Sequence, residues 1–153
     1  MSLIRSARDS ELSSIVAPLI GPLTPSIDPG KALVVGRSPI NRVVVSRIIE
    51  NSGLRPLSEE PEAALKTLQT LVPATIVLDG GADNRDCDML MQPLQALRRQ
   101  FGKNVPGVIL LTPRIMSADD LAPLVAVDIA VAKPITPELL QPMLERLLER
   151  VRG

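Results

Sequence analysis

Residues 32–53 read ALVVGRSPINRVVVSRIIENSG. The opening ALVV is a short apolar run, the pattern of a strand buried on both faces. Ser38 offers a capping hydroxyl and Pro39 suits a first helical position, so a helix starts just after the strand. Val43, Val44, Ile48 and Ile49 mark its expected inward face, and Asn51-Ser52-Gly53 ends it. A buried strand running into a helix is half of a crossover unit, and the junction is where such units place phosphate or metal sites. At this junction stand Gly36 and Arg37.

The alternation continues downstream. LRPLS (54–58) is a weak second strand, and its Pro56 suits an edge position where one ladder hydrogen bond is not needed. A second helix opens at Pro61, carries Leu65, Leu68 and Leu71, and stops before Pro73. ATIVLD (74–79) is the third strand, followed by the polar loop GGADNRD and a helix through MLMQPLQALRRQF to Gly102. GVILLT (107–112) is the fourth strand and SADDLAPLVAV a short fourth helix capped by Ser117. IAVAK (129–133) is the fifth strand, and a last helix is capped by Thr136 and opened by Pro137. Five strands alternating with five helices predict an α/β domain over 31–152, a doubly wound five-stranded parallel sheet with helices on both faces. Pro93, Pro123 and Pro142 fall inside expected helices, which should be kinked or shortened there.

Upstream, Pro18, Pro22, Pro25 and Pro29 argue against a long helix and mark residues 1–30 as a tail or docking segment. Leu12, Ile15, Val16 and Leu19 nevertheless share the spacing of one short helical face.

Composition removes whole classes of function. Seventeen basic residues balance seventeen acidic ones, and Phe101 is the single aromatic, so neither charge nor base stacking favours nucleic acid. With no histidine, the Ser-His and Cys-His nucleophile pairs and imidazole metal sites are unavailable. A lone Cys87 makes no intrachain disulfide, and no apolar run approaches the roughly 18 residues of a membrane span. These features fit a cytoplasmic protein without a membrane partner.

In a doubly wound sheet, ligands meet the carboxyl ends of the strands. Those ends carry Gly36-Arg37, then Asp79, Thr112 and Lys133-Pro134 on strands one, three, four and five. An aspartate, a hydroxyl and a Lys-Pro in that succession resemble the receiver domain of bacterial two-component response regulators over about residues 31–150. SPINRVVVSRIIENSGLRP, LDGGADNRDCD and AKPITPELL are similar to its first helix with second strand, its acceptor loop and its last strand with the following turn. The resemblance implies a receiver or flavodoxin-like sheet of order 2-1-3-4-5. It makes Asp79 the phosphoacceptor, Thr112 the switch hydroxyl and Lys133 the lysine that contacts the acceptor or its phosphoryl group. It places a cis peptide bond before Pro134. The implied partners are a histidine kinase, a phosphotransfer protein or another response regulator, with a homodimer through the fourth and fifth helices.

The chain departs from that family at three points. Two acidic residues normally end strand one and hold Mg²⁺ with the acceptor; Gly36 and Arg37 replace them. Ala130 stands where an aromatic usually follows the threonine, and Cys87 stands where the acceptor loop has glycine. Phosphoryl transfer to a carboxylate needs a metal to neutralise the developing charge, and Mg²⁺ prefers octahedral oxygen ligands. Asp79 and the backbone near Gly81 alone leave weak Mg²⁺ binding or none, and no other cofactor is implied. Arg37 could fill the metal's space and pair with Asp79 beside Lys133, which makes the domain a pseudo-receiver working by protein contacts and not an enzyme. The competing reading keeps a phosphorylatable Asp79, with Arg37 in solvent and ligands from Glu59, Glu60, Asp83 or Asp86. A nucleotide-binding α/β enzyme is the rival of another class, but GRSPIN fits G-x-G-x-x-G poorly. A haloacid-dehalogenase-type phosphatase would need an aspartate where Gly81 stands.

Overall fold

The computed structural model describes residues 25–102, 105–121 and 123–152. The apolar face expected at Leu12, Ile15, Val16 and Leu19 lies outside the described residues. Five strands and five helices alternate: β1 (Ser26–Val35), α1 (Pro39–Asn51), β2 (Arg55–Glu59), α2 (Pro61–Thr67), β3 (Leu71–Asp79), α3 (Met91–Phe101), β4 (Gly107–Thr112), α4 (Ala118–Leu121), β5 (Ile129–Ala132) and α5 (Pro137–Arg152). A 3₁₀ turn, Asp88–Leu90, precedes α3. The strands form one parallel sheet of order β2-β1-β3-β4-β5.

Strand side chains alternate between two cores, because successive residues of a strand point to opposite faces. Ala32, Val34, Ile109, Leu111 and Val131 meet Val45, Ile48 and Ile49 of α1 and Leu140, Leu144, Leu147 and Leu148 of α5. Leu33, Val35, Ile76, Leu78, Val108 and Leu110 meet Ala64 of α2 and Leu94 and Leu97 of α3. Aliphatic side chains fill both layers, and the single aromatic, Phe101, packs only at the margin of the second.

Several elements differ from the sequence reading. The outward side of α1 takes Val43 and Val44, while Val45 is buried. Val43-Val44-Val45 is uniformly apolar, so periodicity alone could not select among the three; Val45 is in phase with Ile48 and with Asn41. The second helix ends at Thr67, and Leu71 opens β3. Pro73 is accepted inside β3 because pairing with β4 begins only at Thr75, leaving an edge-like position there. Strand β1 starts at Ser26, inside the stretch read as a tail, since Ser26–Asp28 pair with Leu71–Pro73. A register shift between Asp28 and Ala32 absorbs Pro29, and the Asp28 carboxylate accepts from the Gly30 N–H at 3.0 Å.

The helix prolines act in different ways. Pro93 sits in the first turn of α3, where an N–H would have no intrahelical partner. Helix α4 is a single turn ending before Pro123. Ser117 caps it through a 3.2 Å bond from the Asp120 N–H. Helix α5 continues past Pro142 to Arg152, so the proline does not shorten it. Leu140, Leu144 and Leu147 anchor it on both sides of the proline, so the loss of one backbone bond does not end it.

Candidate functional site at the carboxyl edge of the sheet

Asp79 ends the central strand β3 and is only 5% exposed. Burial of a carboxylate is tolerated when its oxygens are paired. Lys133 Nζ lies 2.7 Å from Asp79 Oδ1, and the Gly81 N–H donates to the same oxygen at 3.0 Å. The Asn41 Nδ2 amide donates to Oδ2 at 2.9 Å. Burial alone would raise the Asp79 pKa, but the bonds from Lys133, Asn41 and Gly81 together hold it below the usual carboxylate value.

Each donor is placed by its element. Lys133 directly follows β5, and its N–H bonds to the Thr112 carbonyl at 2.9 Å. The Lys133-Pro134 bond is cis, as the resemblance implies. Gly81 has φ +74°, a conformation open to glycine, which turns its N–H back onto Asp79. Asn41 lies in the first turn of α1, where its own N–H bonds to the Ser38 capping oxygen at 3.2 Å.

Gly36 and Arg37 behave differently from each other. A Cβ on Gly36 would stand 2.8 Å from the Asp79 Cβ, so the glycine allows the end of β3 to close against β1. Arg37 does not occupy the metal's space beside Asp79. Its guanidinium forms a fork with Glu62 at 2.7 and 3.1 Å, with Glu60 3.8 Å away. The fork with Glu62 raises the Arg37 pKa. The planar guanidinium meets the carboxylate of Glu62 as a two-pronged fork at the exposed start of α2, while the inner position goes to the neutral amide of Asn41.

Thr112 is fully buried, and its Oγ1 donates to the Arg114 carbonyl at 2.6 Å. The hydroxyl is therefore engaged with its own loop and not with Asp79. Cys87 is buried and its Sγ bonds to the Asp79 carbonyl at 3.3 Å. Burial, followed by the nearby acidic side chains, pushes its pKa up to about 12, which keeps the thiol in its protonated, weakly nucleophilic form at neutral pH.

The donor set does not fit Mg²⁺. Both Asp79 oxygens already accept bonds, Gly36 supplies no side chain, and a cation is seated at Oδ1. Of the four substitute ligands, Glu59 and Glu60 are engaged elsewhere, while Asp86 lies beside Gly81 in the loop that follows Asp79. Glu59 Oε2 accepts from Thr67 Oγ1 at 2.8 Å, and Glu60 faces Arg37. Among the described residues no three acidic side chains converge.

Sequence reasoning missed Asn41 and Arg42, although both lie in the stretch that decided the fold. The Arg42 guanidinium donates to the Gly36 carbonyl at 2.6 Å and to Ser58 Oγ at 2.9 Å, tying β1, α1 and β2 together at the site edge. The available signal was phase: Asn41, Val45 and Ile48 fall at i, i+4 and i+7, so a polar amide heads the inward stripe of α1.

This arrangement defines the receiver class of α/β fold, and solved structures carry the same architecture. A response regulator from Thermotoga maritima superposes with a TM-score of 0.61 at 17% identity, covering 83% of this chain and 99% of that one. The chemotaxis response regulator CheY4 of Vibrio cholerae gives 0.62 at 21% identity, covering 78% and 99%. The receiver domain of a signal-transduction histidine kinase from Syntrophus aciditrophicus gives 0.64 at 24%, covering 80% and 92%. No family profile matches the chain, and no curated protein matches it. No helix among the described residues is long and apolar enough to cross a membrane.

Proposed function

We propose that this chain is a receiver-like signalling module of a two-component pathway that acts through protein contacts, with Asp79 held paired instead of being phosphorylated. The observation that carries this reading is the Asp79 carboxylate itself: Lys133, Asn41 and Gly81 satisfy it from within the fold, and the Gly36 backbone packs against it. An attacking carboxylate must expose a lone pair to phosphorus and have its charge balanced by a bridging metal. Here an amide and an ammonium take those positions, so the site is fixed in one electrostatic state. The partners are the proteins such modules address: a histidine kinase, a phosphotransfer protein or a second regulator, read by shape at the edge around Asp79.

Intact mass after incubation with Mg²⁺ and acetyl phosphate tests this reading. Wild type is expected to stay unmodified, and so is Arg37→Asp, because Arg37 pairs with Glu62 and its removal leaves the Asp79 contacts in place. A phosphoryl group gained by wild type and absent from Asp79→Asn would overturn the proposal and make the chain a phosphoswitch.

A further inference from the structure

Strand β1 extends beyond the strand beside it. Its residues Lys31–Val35 pair with Arg55–Glu59 of β2, whereas Ser26–Asp28 pair only with Leu71–Pro73 of β3. Among the described residues, the other side of Ser26–Asp28 has no strand against it. The backbone groups of successive strand residues point to opposite sides. The Ser26 N–H bonds to the Thr70 carbonyl at 3.0 Å, which sets the phase: Ser26 and Asp28 address β3, while Pro25, Ile27 and Pro29 address the open side. Ile27 is β-branched and 47% exposed. An open edge with an exposed apolar residue at its centre is a template for a further strand.

We propose that Pro25 and Pro29 close this edge to strand addition, so that the sheet does not continue into a second copy of the chain. Pairing needs N–H donors, and proline has none. Of the three residues that address the open side, only Ile27 carries one. The next N–H along the chain, that of Gly30, is already donated to the Asp28 carboxylate at 3.0 Å, and Lys31 begins the pairing with β2. The molecule whose edge matches this one is an identical copy, turned antiparallel about a two-fold axis. That arrangement sets Ile27 against Ile27 and Pro25 against Pro29, in the register where facing residues exchange both N–H bonds. The proline pairs can exchange none, so a single pair of bonds at Ile27 is all that the edge can offer.

Sedimentation and hydrogen exchange on the full chain test this, comparing wild type with Pro25→Ala/Pro29→Ala. Unchanged protection of β3 and β4 will verify that the variant keeps the fold. In wild type the Ile27 amide should exchange close to the rate of an unstructured peptide, and faster than the Asp28 amide, which addresses β3. In the variant, self-association should strengthen by roughly tenfold or more, and Ile27 exchange should slow as concentration rises. Adding Ile27→Lys to the variant should reverse both changes, because two ammonium groups would then meet at the centre of the pairing. Protection of Ile27 in wild type would overturn the proposal, since the edge would already be paired. So would a double variant that associates no more strongly than wild type, or association that Ile27→Lys leaves intact. None of these outcomes depends on whether Asp79 is phosphorylated.

Discussion

Asp79 shows how one carboxylate can be buried without a metal. Its pKa is held below the unfolded value of about 3.9 by Lys133, Asn41 and Gly81, which outweigh burial. A depressed folded pKa means that the stabilisation is fully present above the unfolded value and is lost as pH falls through the folded one. The acid limb of a stability-against-pH curve, from urea titrations, should therefore steepen below about pH 4. Asp79→Asn should be less stable than wild type at pH 7, and the gap should close toward the bottom of that limb. A constant gap between the two proteins at all pH values would contradict the assignment.

At the scale of elements, the end of the sheet opposite Asp79 is held by a second buried ionic cluster. Asp128, just before β5, accepts from Arg98 of α3 at 2.7 and 3.1 Å and from the Val108 N–H of β4 at 2.8 Å. The side chains are 13% and 7% exposed for Arg98 and Asp128, so little water can replace a lost partner. Asp128→Ala should cost about 3–5 kcal/mol, because it breaks a buried ion pair with Arg98 and leaves the Val108 N–H without its acceptor, while Arg98 keeps neutral partners such as the Ala126 carbonyl. Asp128→Asn, which keeps an acceptor for Val108, should cost less. Urea midpoints of the two variants check the order, and equal losses would refute it. These contacts join three elements whose sequences give no hint of one another, since Arg98 reads simply as a basic residue in the last turn of a helix.

At the scale of the molecule, the fold keeps the frame of a receiver while altering what that frame presents. The edge that holds Asp79 is closed by internal donors, and α4 is reduced to one turn on the face that the family resemblance marked for dimerisation. Ligand that binds only the folded state stabilises it by RT ln(1 + [L]/Kd) and so raises the melting temperature. With no convergent acidic set at Asp79, millimolar Mg²⁺ should leave the melting temperature of the chain unchanged apart from the general salt effect seen equally with Asp79→Asn. A rise specific to wild type would show that Lys133 and Asn41 yield to the metal.

The sequence by itself determined the order of strands and helices, the parallel sheet and the residues at its carboxyl edge. Apolar runs, capping residues such as Ser38, and the Lys133-Pro134 pair are local signals that survive without a fold around them. The tertiary structure alone decided where the charged side chains went. Arg37 and Asn41 are four residues apart in one turn region, and either could have met Asp79 by reach. The inward phase of α1 and the close approach of Gly36 admit the amide, and the acidic start of α2 draws the guanidinium out to Glu62. The same holds for Val43, Val44 and Val45, where only packing against the sheet distinguished the buried valine from the two that face outward.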